Sequence, residues 1–305
     1  MKTPKFWNEN NFISLMLYPL SLVYGAVTQL RIKKKYKYKS RAKVICIGNI
    51  TAGGVGKTPV AMAFAEKYIR EGKRVVFVTR GYKGKLKNIV VDLEKHSAIE
   101  TGDEARLLAN VAPVVIAPRR NEGAIMAESL GADIIIMDDG FQNPDLYKDE
   151  CWLVFDGEIG IGNEMIIPSG PLRETLENGE KRANGIIIMG EDKTGLAKRT
   201  KLDVYIGKLQ AEDIDIKNKK VFAFAGIGRP QKFYNTLADL GYDVVVKKDF
   251  EDHHNYSDNE LKEMIEDAKE RGLSLVTTQK DYVKIPNQYR VDICCLKVKA
   301  KLEKK

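Results

Sequence analysis

The chain has 305 residues, of which 44% are hydrophobic and 30% are charged. This length and apolar content predict a globular protein with one large α/β domain or two smaller ones. The net charge is +8, but the segment from Arg31 to Lys43 holds eight basic residues and no acidic one, so the rest is near neutral. Such confined basicity argues against a nucleic-acid-binding surface, and no nucleic-acid partner is expected. The four cysteines show neither metal nor disulfide spacing, which favours a reducing compartment.

The stretch from Phe12 to Leu30 contains no charged residue. A cleaved signal peptide is disfavoured because the basic block follows the apolar run. A membrane-spanning helix is barely long enough and is interrupted by Pro19. An interfacial helix is favoured, because small and polar residues recur at helical spacing in an otherwise apolar surface. This stripe consists of Ser14, Tyr18, Ser21, Gly25 and Thr28. A helix packed on the protein's own core is the remaining alternative.

The basic block beside this helix predicts contact with a membrane surface that carries anionic lipids. Each lysine or arginine near such a surface contributes about 1 kcal/mol. Basic segments also stay on the cytoplasmic side of a membrane, which places the main body there. Residues 1–40 are therefore expected to form a membrane-associating helix and basic segment, peripheral or shallowly inserted.

A phosphate-binding loop follows. The apolar run from Val44 to Ile47 predicts a buried strand, and the residues from Pro59 onward predict a helix. Between them lies GNITAGGVGKT, whose glycines let backbone N–H groups curl around an anion at the start of the helix. Lys57 is expected to reach the β- and γ-phosphates of a nucleotide, and Thr58 to offer its hydroxyl to Mg²⁺.

One position of this loop departs from the strict pattern. Thr51 stands where the first glycine is usual, so Gly53 and Gly54 are expected to supply the flexibility. A glycine-rich turn without a ligand is the competing interpretation, which the flanking strand and helix disfavour. The predicted nucleotide-binding residues are Thr51, Ala52, Gly53, Gly54, Val55, Gly56, Lys57 and Thr58.

Two later stretches carry charge near predicted element ends. Arg80 follows the strand predicted at residues 74–79. Ligands bind outside the carboxyl ends of strands in open α/β sheets. Arg80 is therefore a candidate for binding an anionic substrate. Thr101 and Glu104 fit a helix-capping box that places Asp103 in the first turn. This capping is an adequate structural explanation for Asp103.

Asp138 and Asp139 end another apolar run, the strand predicted at residues 132–137. A carboxylate at this place can hold Mg²⁺ directly or through water, opposite the phosphate-binding loop. Two adjacent aspartates also repel each other, and a cation relieves that repulsion. Both aspartates are therefore predicted metal residues, together with Thr58.

The other apolar runs continue the α/β alternation. Helices are predicted at residues 121–130 and 257–271, the second capped by Ser257 and Glu260. Further strands are predicted at residues 113–117, 151–155, 185–189, 221–225, 244–246, 273–277 and 293–298. The charged run at 208–220 marks a domain boundary. The predicted fold is α/β: a P-loop NTPase-like domain with a mostly parallel sheet at 41–210 and a smaller C-terminal α/β domain at 211–305, after the N-terminal helix.

These parts predict phosphoryl transfer by one of two classes of protein. A GTPase switch would show Asp-x-x-Gly, but Met137 stands three residues before Gly140, and Lys280-Asp281 lacks the spacing of a guanine-binding motif. A small-molecule kinase needs instead a second pocket and a base for the acceptor hydroxyl. The alternative is a membrane-associated ATPase or GTPase switch that acts on a protein partner.

Together the motifs resemble the tetraacyldisaccharide 4'-kinase family over nearly the whole chain. They are Gly48-Asn49, Gly53 to Pro59, Thr79 to Tyr82, Gly102 to Glu104, Asp138 to Gln142, Pro168 to Glu174, Gly226 to Pro230, Asp252-His253 and Lys280-Asp281. The resemblance implies ATP-dependent, Mg²⁺-requiring phosphorylation of the 4'-hydroxyl of a tetraacylated glucosamine disaccharide 1-phosphate. This step of lipid A biosynthesis gives the 1,4'-bisphosphorylated precursor, lipid IVA, and implies the cytoplasmic face of the inner membrane.

The resemblance also implies residue roles. Asp103 corresponds to the family's catalytic aspartate, which accepts the hydroxyl proton, and His253 to the histidine that partners it; Lys57 completes the catalytic set. Glu174 joins the two aspartates near the metal and nucleotide. The substrate-binding candidates are Arg80, Asn143 and Arg173. Asn143 stands where the family commonly has histidine, and asparagine can form hydrogen bonds but cannot titrate near neutral pH.

Overall fold

The computed structural model describes residues 4–212, 214, 216 and 218–305. Within these residues the helices are α1 (Phe12–Ile32), α2 (Lys57–Arg70), α3 (Ala98–Thr101), α4 (Asp103–Ala109), α5 (Arg120–Ser129), α6 (Leu176–Glu180), α7 (Pro230–Asp239), α8 (Asp258–Glu270) and α9 (Gln279–Tyr282). Short 3₁₀ segments lie at Lys5–Trp7, Leu196–Lys198 and Asn287–Asp292. The strands are β1 (Lys43–Gly48), β2 (Val75–Thr79), β3 (Ile89–Val90), β4 (Val114–Ile116), β5 (Ile134–Asp138), β6 (Glu150–Asp156), β7 (Gly185–Met189), β8 (Asp203–Ala211), β9 (Lys220–Ala225), β10 (Asp243–Asp249), β11 (Ser274–Thr278), β12 (Ile293–Leu296) and β13 (Val298–Lys304).

The larger sheet has nine strands in the order β13-β8-β7-β6-β1-β5-β2-β4-β3. Its central strands are parallel, and the antiparallel pairs are β13 with β8 and β3 with β4 at the two ends. Separate apolar clusters cover its two faces. Burial on both faces explains why the central strands are almost continuously apolar in sequence. The predicted α/β fold with a mostly parallel sheet is confirmed.

The register of the parallel strands places the parts of the predicted nucleotide site at one edge of this sheet. The central strand β1 lies between β5 and β6, with Ile47 opposite Asp138 and Gly48 opposite Leu153. Because these strands run parallel, the loop after β1 and the aspartates at the end of β5 leave the sheet at the same edge. The sheet therefore places the phosphate-binding loop beside the acidic pair.

The smaller sheet is parallel and has the order β10-β9-β11-β12. Side chains of β9 alternate between two apolar clusters, one that includes α7 and one that includes α8. Helix α8 begins as predicted, because Ser257 and Glu260 form its capping box. Residues 213, 215 and 217 of the predicted boundary segment lie outside the described residues.

The C-terminal strand does not belong to the smaller sheet. One strand was predicted at residues 293–298, but the chain forms β12 and then β13, which pairs antiparallel with β8 in the larger sheet. Alternation of exposed lysine and half-buried Val298, Ala300 and Leu302 fits an edge strand with one solvated face. The division into residues 1–40, 41–210 and 211–305 stays a prediction, with this return strand joining the last part to the larger sheet.

The capping box predicted at Thr101 and Glu104 is wrong. The box that forms lies four residues earlier, between Ser97 and Glu100, and it starts α3. Thr101 is the last residue of α3, and its hydroxyl donates to the Ser97 carbonyl at 2.9 Å. Gly102 then turns the chain with φ +87°, and a Cβ there would lie 2.4 Å from the carbonyl oxygen of Tyr82. Glycine at this position is what lets α4 begin at Asp103.

Helix α1 packs on the protein with part of the predicted stripe, whose Tyr18 is 47% exposed, and exposes its apolar side. Ser14, Ser21 and Gly25 are buried, and the Ser21 hydroxyl donates to the Ile166 carbonyl at 2.7 Å. A larger residue than Gly25 would press on Ile166. Nine apolar side chains of α1 are more than half exposed: Phe12, Ile13, Leu15, Met16, Leu20, Leu22, Val23, Val27 and Leu30. By length and composition α1 is apolar enough to cross a membrane, with a mean hydropathy of 1.4.

Candidate active site

The phosphate-binding loop connects β1 directly to α2. Gly56 is the N-cap of α2 with φ +87°, and Gly53 has φ +118°, so both occupy backbone conformations that favour glycine. Lys57 and Thr58 are the first two residues of the helix, and the Gly56 N-cap offers no side-chain hydrogen bond to the turn. The free N–H groups of this first turn are what an anion requires.

The structure explains why Thr51 is tolerated in place of glycine. Thr51 is not among the residues with positive φ, and it pairs with Leu172 in an isolated antiparallel bridge. The Asn49 side chain donates to the Thr51 carbonyl at 2.6 Å, and Ala52 N–H donates to the Pro171 carbonyl at 2.7 Å. This half of the loop is therefore extended and anchored, and the glycines are needed only in the second half.

Lys57 lies between Asn49 and the acidic pair. Its ammonium donates to Asn49 Oδ1 at 3.2 Å and is 3.7 Å from Asp139 Oδ1. Arg173 also reaches Asp139 Oδ1, at 3.4 Å. Burial alone would raise the pKa of Asp139, but the charges of Lys57 and Arg173, helped by two further arginines, Arg80 and Arg120, hold it below its usual range. Asp139 is thus an ionised carboxylate inside a group of cations.

Asp138 has a different environment. Its side chain is 3% exposed, the Thr58 hydroxyl donates to Oδ2 at 3.2 Å, and Oδ1 has no hydrogen-bond partner among the described residues. Burial raises the pKa of Asp138 to about 7; the nearby charge of Glu104 adds to the rise and Lys57 opposes it. An unpartnered buried oxygen next to a threonine hydroxyl and a second acidic side chain fits a divalent cation.

Within the described ranges, no group of three or more His, Cys, Asp or Glu side chains is arranged as a metal site of its own. This finding agrees with the chemistry of Mg²⁺, which commonly takes one or two protein oxygens and completes its shell with phosphate and water. Thr58 at the start of α2 and Asp138 at the end of β5 supply such oxygens. The residues present therefore fit a magnesium ion held jointly with a nucleotide.

Glu174 is 2% exposed and already has partners for both carboxylate oxygens. Gln142 donates to Oε1 at 3.0 Å, and Arg182 forms a close ion pair with Oε2. Gln142 also donates to the Asn49 carbonyl at 2.9 Å. Glu174 therefore ties the loop before α6 to the start of the phosphate-binding loop, a supporting position next to the predicted metal residues.

Asp103, from the part of the chain that forms the larger sheet, contacts His253, from the part that forms the smaller sheet. His253 Nδ1 lies 2.9 Å from Asp103 Oδ2, although the residues are 150 positions apart in sequence. Asp103 is 8% exposed and opens α4, while His253 lies in the loop between β10 and α8 with φ +68°. Helix α4 contacts α2, which begins at the phosphate-binding loop, and the charge of Glu104, the next residue of α4, raises the pKa of Asp138. The aspartate–histidine pair therefore lies beside the phosphate-binding loop.

The substrate-binding candidates occupy different positions. The Arg80 guanidinium lies over the ring of Tyr82 at 5.1 Å, and its charge reaches Asp139. Arg173 contacts Asp139 directly, as described above. Asn143 instead forms a local turn, in which its Oδ1 accepts from Asp145 N–H at 3.0 Å. Of the three candidates, Arg80 and Arg173 therefore lie near the acidic pair of Asp138 and Asp139.

Other residues of the site were not predicted from the sequence. Glu104 was interpreted only as part of a cap. Tyr82 packs edge-on against His253 with ring centres 5.9 Å apart. Arg120 is buried beside the acidic pair, and its Nη1 donates to the Ala117 carbonyl at 2.6 Å. Lys280 Nζ is 3.3 Å from His253 Nε2. The only sequence signal for these residues is that most lie within or beside the family's motifs.

This arrangement, a phosphate-binding loop with an acidic pair and a carboxylate–imidazole pair at its edge, defines a phosphotransferase of the P-loop type. A family model described as tetraacyldisaccharide-1-P 4'-kinase matches residues 13–305. The chain belongs to this family. The alternative of a hydrolytic switch is not favoured.

Known relatives are similar in sequence to this chain over nearly its full length. A tetraacyldisaccharide 4'-kinase of Paramagnetospirillum magneticum is 38% identical over 304 residues, which cover 98% of this chain and 94% of the relative. One of Rhodospirillum rubrum is 40% identical over 309 residues, covering 98% and 93%. Among solved structures, the "apo" form of LpxK from Aquifex aeolicus in complex with ATP matches with a TM-score of 0.75 and 28% identity over 96% of each chain.

Proposed function

We propose that the protein transfers the γ-phosphoryl group of ATP to the 4'-hydroxyl of a tetraacylated glucosamine disaccharide 1-phosphate. The observation that carries this proposal is the contact between Asp103 and His253 beside the phosphate-binding loop. An alcohol acceptor loses its hydroxyl proton as it attacks phosphorus, and a carboxylate oriented by an imidazole can take that proton. The proposed product is the 1,4'-bisphosphorylated disaccharide, lipid IVA.

The nucleotide side of the site is assigned to residues 51–58. Backbone N–H groups of this loop would surround the phosphates, and Lys57 would leave Asn49 to contact the β- and γ-phosphates. Thr58 and Asp138 would hold Mg²⁺, with Asp139 and Glu174 in support. When bound, the ion neutralises phosphate charge as it develops in the transition state. We assign Arg80 and Arg173, whose charges lower the pKa of Asp139, to contacts with the transferred phosphoryl group.

The acceptor side is assigned to Asp103 and His253. One oxygen of Asp103, Oδ2, contacts His253, and no hydrogen bond within the described residues reaches Oδ1. Oδ1 is therefore free to accept the proton of the attacking hydroxyl, while the imidazole fixes the orientation of the carboxylate. Asn143, in its local turn, can offer hydrogen bonds to the substrate but cannot act as an acid or a base.

The lipid side is assigned to α1 and the basic segment after it. The exposed apolar side of α1 is suited to the acyl region of a bilayer, and the residues that face the protein are small. The exposed Lys33, Lys34 and Lys35 would contact anionic headgroups. Lys37 and Lys43 of the same segment are instead paired with carboxylates of the protein. We therefore place the protein at the cytoplasmic face of the inner membrane, where a lipid acceptor is presented to the site.

Transfer is tested with γ-³²P-labelled ATP, Mg²⁺ and detergent-solubilised tetraacyldisaccharide 1-phosphate. The matched acceptor is the 4'-deoxy analogue, which lacks only the reacting hydroxyl. The proposal predicts label on the first lipid and none on the second. Release of inorganic phosphate at the same rate with either lipid, or with none, would contradict it and point to a hydrolytic switch.

A further inference from the structure

The turn that follows β11 contacts the catalytic candidate His253 from the side opposite Asp103. Lys280 lies in α9, and its ammonium is 3.3 Å from His253 Nε2 and 3.2 Å from Asp252 Oδ1. The imidazole is thus held between a carboxylate on Nδ1 and an ammonium on Nε2. The function proposed above uses Asp103 and His253 but gives Lys280 no role.

The chemistry of these contacts fixes the tautomer of the imidazole. A lysine ammonium has three hydrogen-bond donors and no acceptor, so a neutral imidazole that bonds to Lys280 through Nε2 accepts there. Asp252 Oδ2 is the other charged group near Nε2, at 3.8 Å, and the second oxygen of that carboxylate is itself paired with Lys280. The ring proton of the neutral imidazole then lies on Nδ1, which donates to Asp103 Oδ2 at 2.9 Å. We propose that Lys280 is a positioning residue that keeps His253 in the Nδ1–H tautomer and thereby keeps Asp103 oriented as a base.

The same turn also holds the backbone of His253. Asp281 Oδ2 accepts from Gly226 N–H at 3.1 Å, and the Gly226 carbonyl accepts from His253 N–H at 3.1 Å. Asp281 is fully buried and forms a 2.6 Å ion pair with Lys284. His253 has φ +68°, an uncommon conformation for a residue other than glycine. Consecutive residues of α9 therefore fix both the ring and the backbone of His253.

The consequence for the reaction lies in how Asp103 is used. In the alternative tautomer, Nδ1 would lack a proton and face Asp103 Oδ2, so two acceptors would meet and the contact would be lost. With Nδ1–H donating, Oδ2 is occupied and Oδ1 remains available. Lys280 does not touch the acceptor in this scheme and acts only through His253. The inference rests on the proposed kinase function for its kinetic effect but not for its structural one.

Nuclear magnetic resonance of the full-length protein in detergent tests the tautomer directly. The chain has three histidines, so long-range ¹H–¹⁵N correlations give three imidazole patterns, and the His253 pattern is assigned by its loss in His253→Gln. Three variants are compared with the unsubstituted protein: Lys280→Met, Lys280→Arg and the control Lys262→Met. Lys262 is an exposed residue of α8. The Lys280 side chain is 26% exposed and contacts Asp252 and His253, whereas Asp281 pairs with Lys284.

The proposal predicts an Nδ1–H pattern for His253 in the unsubstituted protein, in Lys262→Met and in Lys280→Arg, whose guanidinium also only donates. Lys280→Met should show a mixture of tautomers. Its kcat for transfer should fall about 10- to 100-fold, as when the hydrogen-bond partner of a functional histidine is removed, with the KM for ATP unchanged. An Nε2–H pattern in the unsubstituted protein, or an unchanged His253 pattern in Lys280→Met, would overturn the inference. Absence of transfer with the predicted tautomer patterns would contradict the kinase assignment alone.

Discussion

Asp138 and Asp139 are adjacent in sequence, yet their surroundings move the pKa values of their carboxyl groups in opposite directions. Burial and the charge of Glu104 raise the pKa of Asp138 to about 7, whereas four cations hold the pKa of Asp139 low. Asp138 is the last residue of β5, and Asp139 follows it with φ +55°. Asp138 is therefore available to bind a cation, whereas Asp139 already balances the positive charges of the lysine and arginines around the phosphate site.

Replacing Asp138 by asparagine should stabilise the metal-free protein above neutral pH. Because the pKa of Asp138 is about 7 in the folded state and near 3.8 in the unfolded state, ionisation disfavours folding progressively from pH 4 to pH 7 and fully above it. The melting temperature of Asp138→Asn in EDTA should exceed that of the unsubstituted protein at pH 8. The difference should shrink toward pH 5, where the native carboxyl is already protonated.

The matched control for this experiment is Asp239→Asn, an exposed aspartate of α7. It should show no such pH-dependent difference. Asp138→Asn should also lose most of the stabilisation that the unsubstituted protein gains from Mg²⁺ and ATP together. A lower melting temperature of Asp138→Asn at pH 8 without metal would show that the carboxylate is not destabilised by its site.

The second half of the phosphate-binding loop should not tolerate a side chain at Gly56. This residue has φ +87°, and a Cβ would lie 3.2 Å from Met189 Cγ. Gly56→Ala should lower the free energy of unfolding by about 1–2 kcal/mol even without nucleotide. Gly54 has no positive φ, and a Cβ there would meet no atom within 4 Å, so Gly54→Ala is the control and should change the free energy of unfolding by about 0.5 kcal/mol or less. Chemical denaturation measures both, and equal effects would contradict the assigned loop geometry.

Membrane attachment should depend on the exposed side of α1 rather than on its packed side. The triple variant Leu15→Ser, Leu22→Ser and Val27→Ser removes apolar side chains that are exposed in the folded protein. Each buried leucine contributes about 1.5–3 kcal/mol, so vesicle binding should weaken by at least about 100-fold with an unchanged melting temperature. Sedimentation with vesicles that contain anionic lipids measures the binding.

The control for the membrane experiment carries the same number of exposed apolar-to-serine changes elsewhere: Ile125→Ser, Val245→Ser and Val291→Ser. This protein should bind vesicles like the unsubstituted one. Equal binding by the α1 triple variant and the control would show that α1 does not provide the attachment. The basic segment is tested separately, since its contribution should decline as salt is raised.

Local sequence patterns predicted the parts of the site that depend on local structure. The loop from β1 to α2 is continuous in sequence, and the carboxyl end of β5 lies next to it because parallel strands align their ends. The stripe on α1 was also visible, although its role is to pack against the protein. Thr51 was predicted as a departure, and the extended backbone there shows why glycine is not needed.

Relationships between distant segments could not be predicted from local pattern. Asp103 and His253 were associated only through the family resemblance, because their contact depends on how the loop after β10 meets the start of α4. Asp103 lies in the first turn of α4 as predicted, but the capping box was misplaced, because residues 97–100 and 101–104 both fit its pattern and only the first pair forms one. The return of β13 to the larger sheet depends on a pairing with β8 nearly a hundred residues away.

The most direct test of the proposed mechanism measures phosphoryl transfer and nucleotide binding together in Asp103→Asn. The replacement keeps the size of the side chain at the start of α4 and removes its ability to take a proton. If Asp103 is the base, transfer to the tetraacylated acceptor falls by about 100-fold or more, while the Kd for ATP with Mg²⁺ stays the same. Transfer near the normal rate, or loss of nucleotide binding along with transfer, would show that Asp103 is a structural residue and would contradict the proposed mechanism.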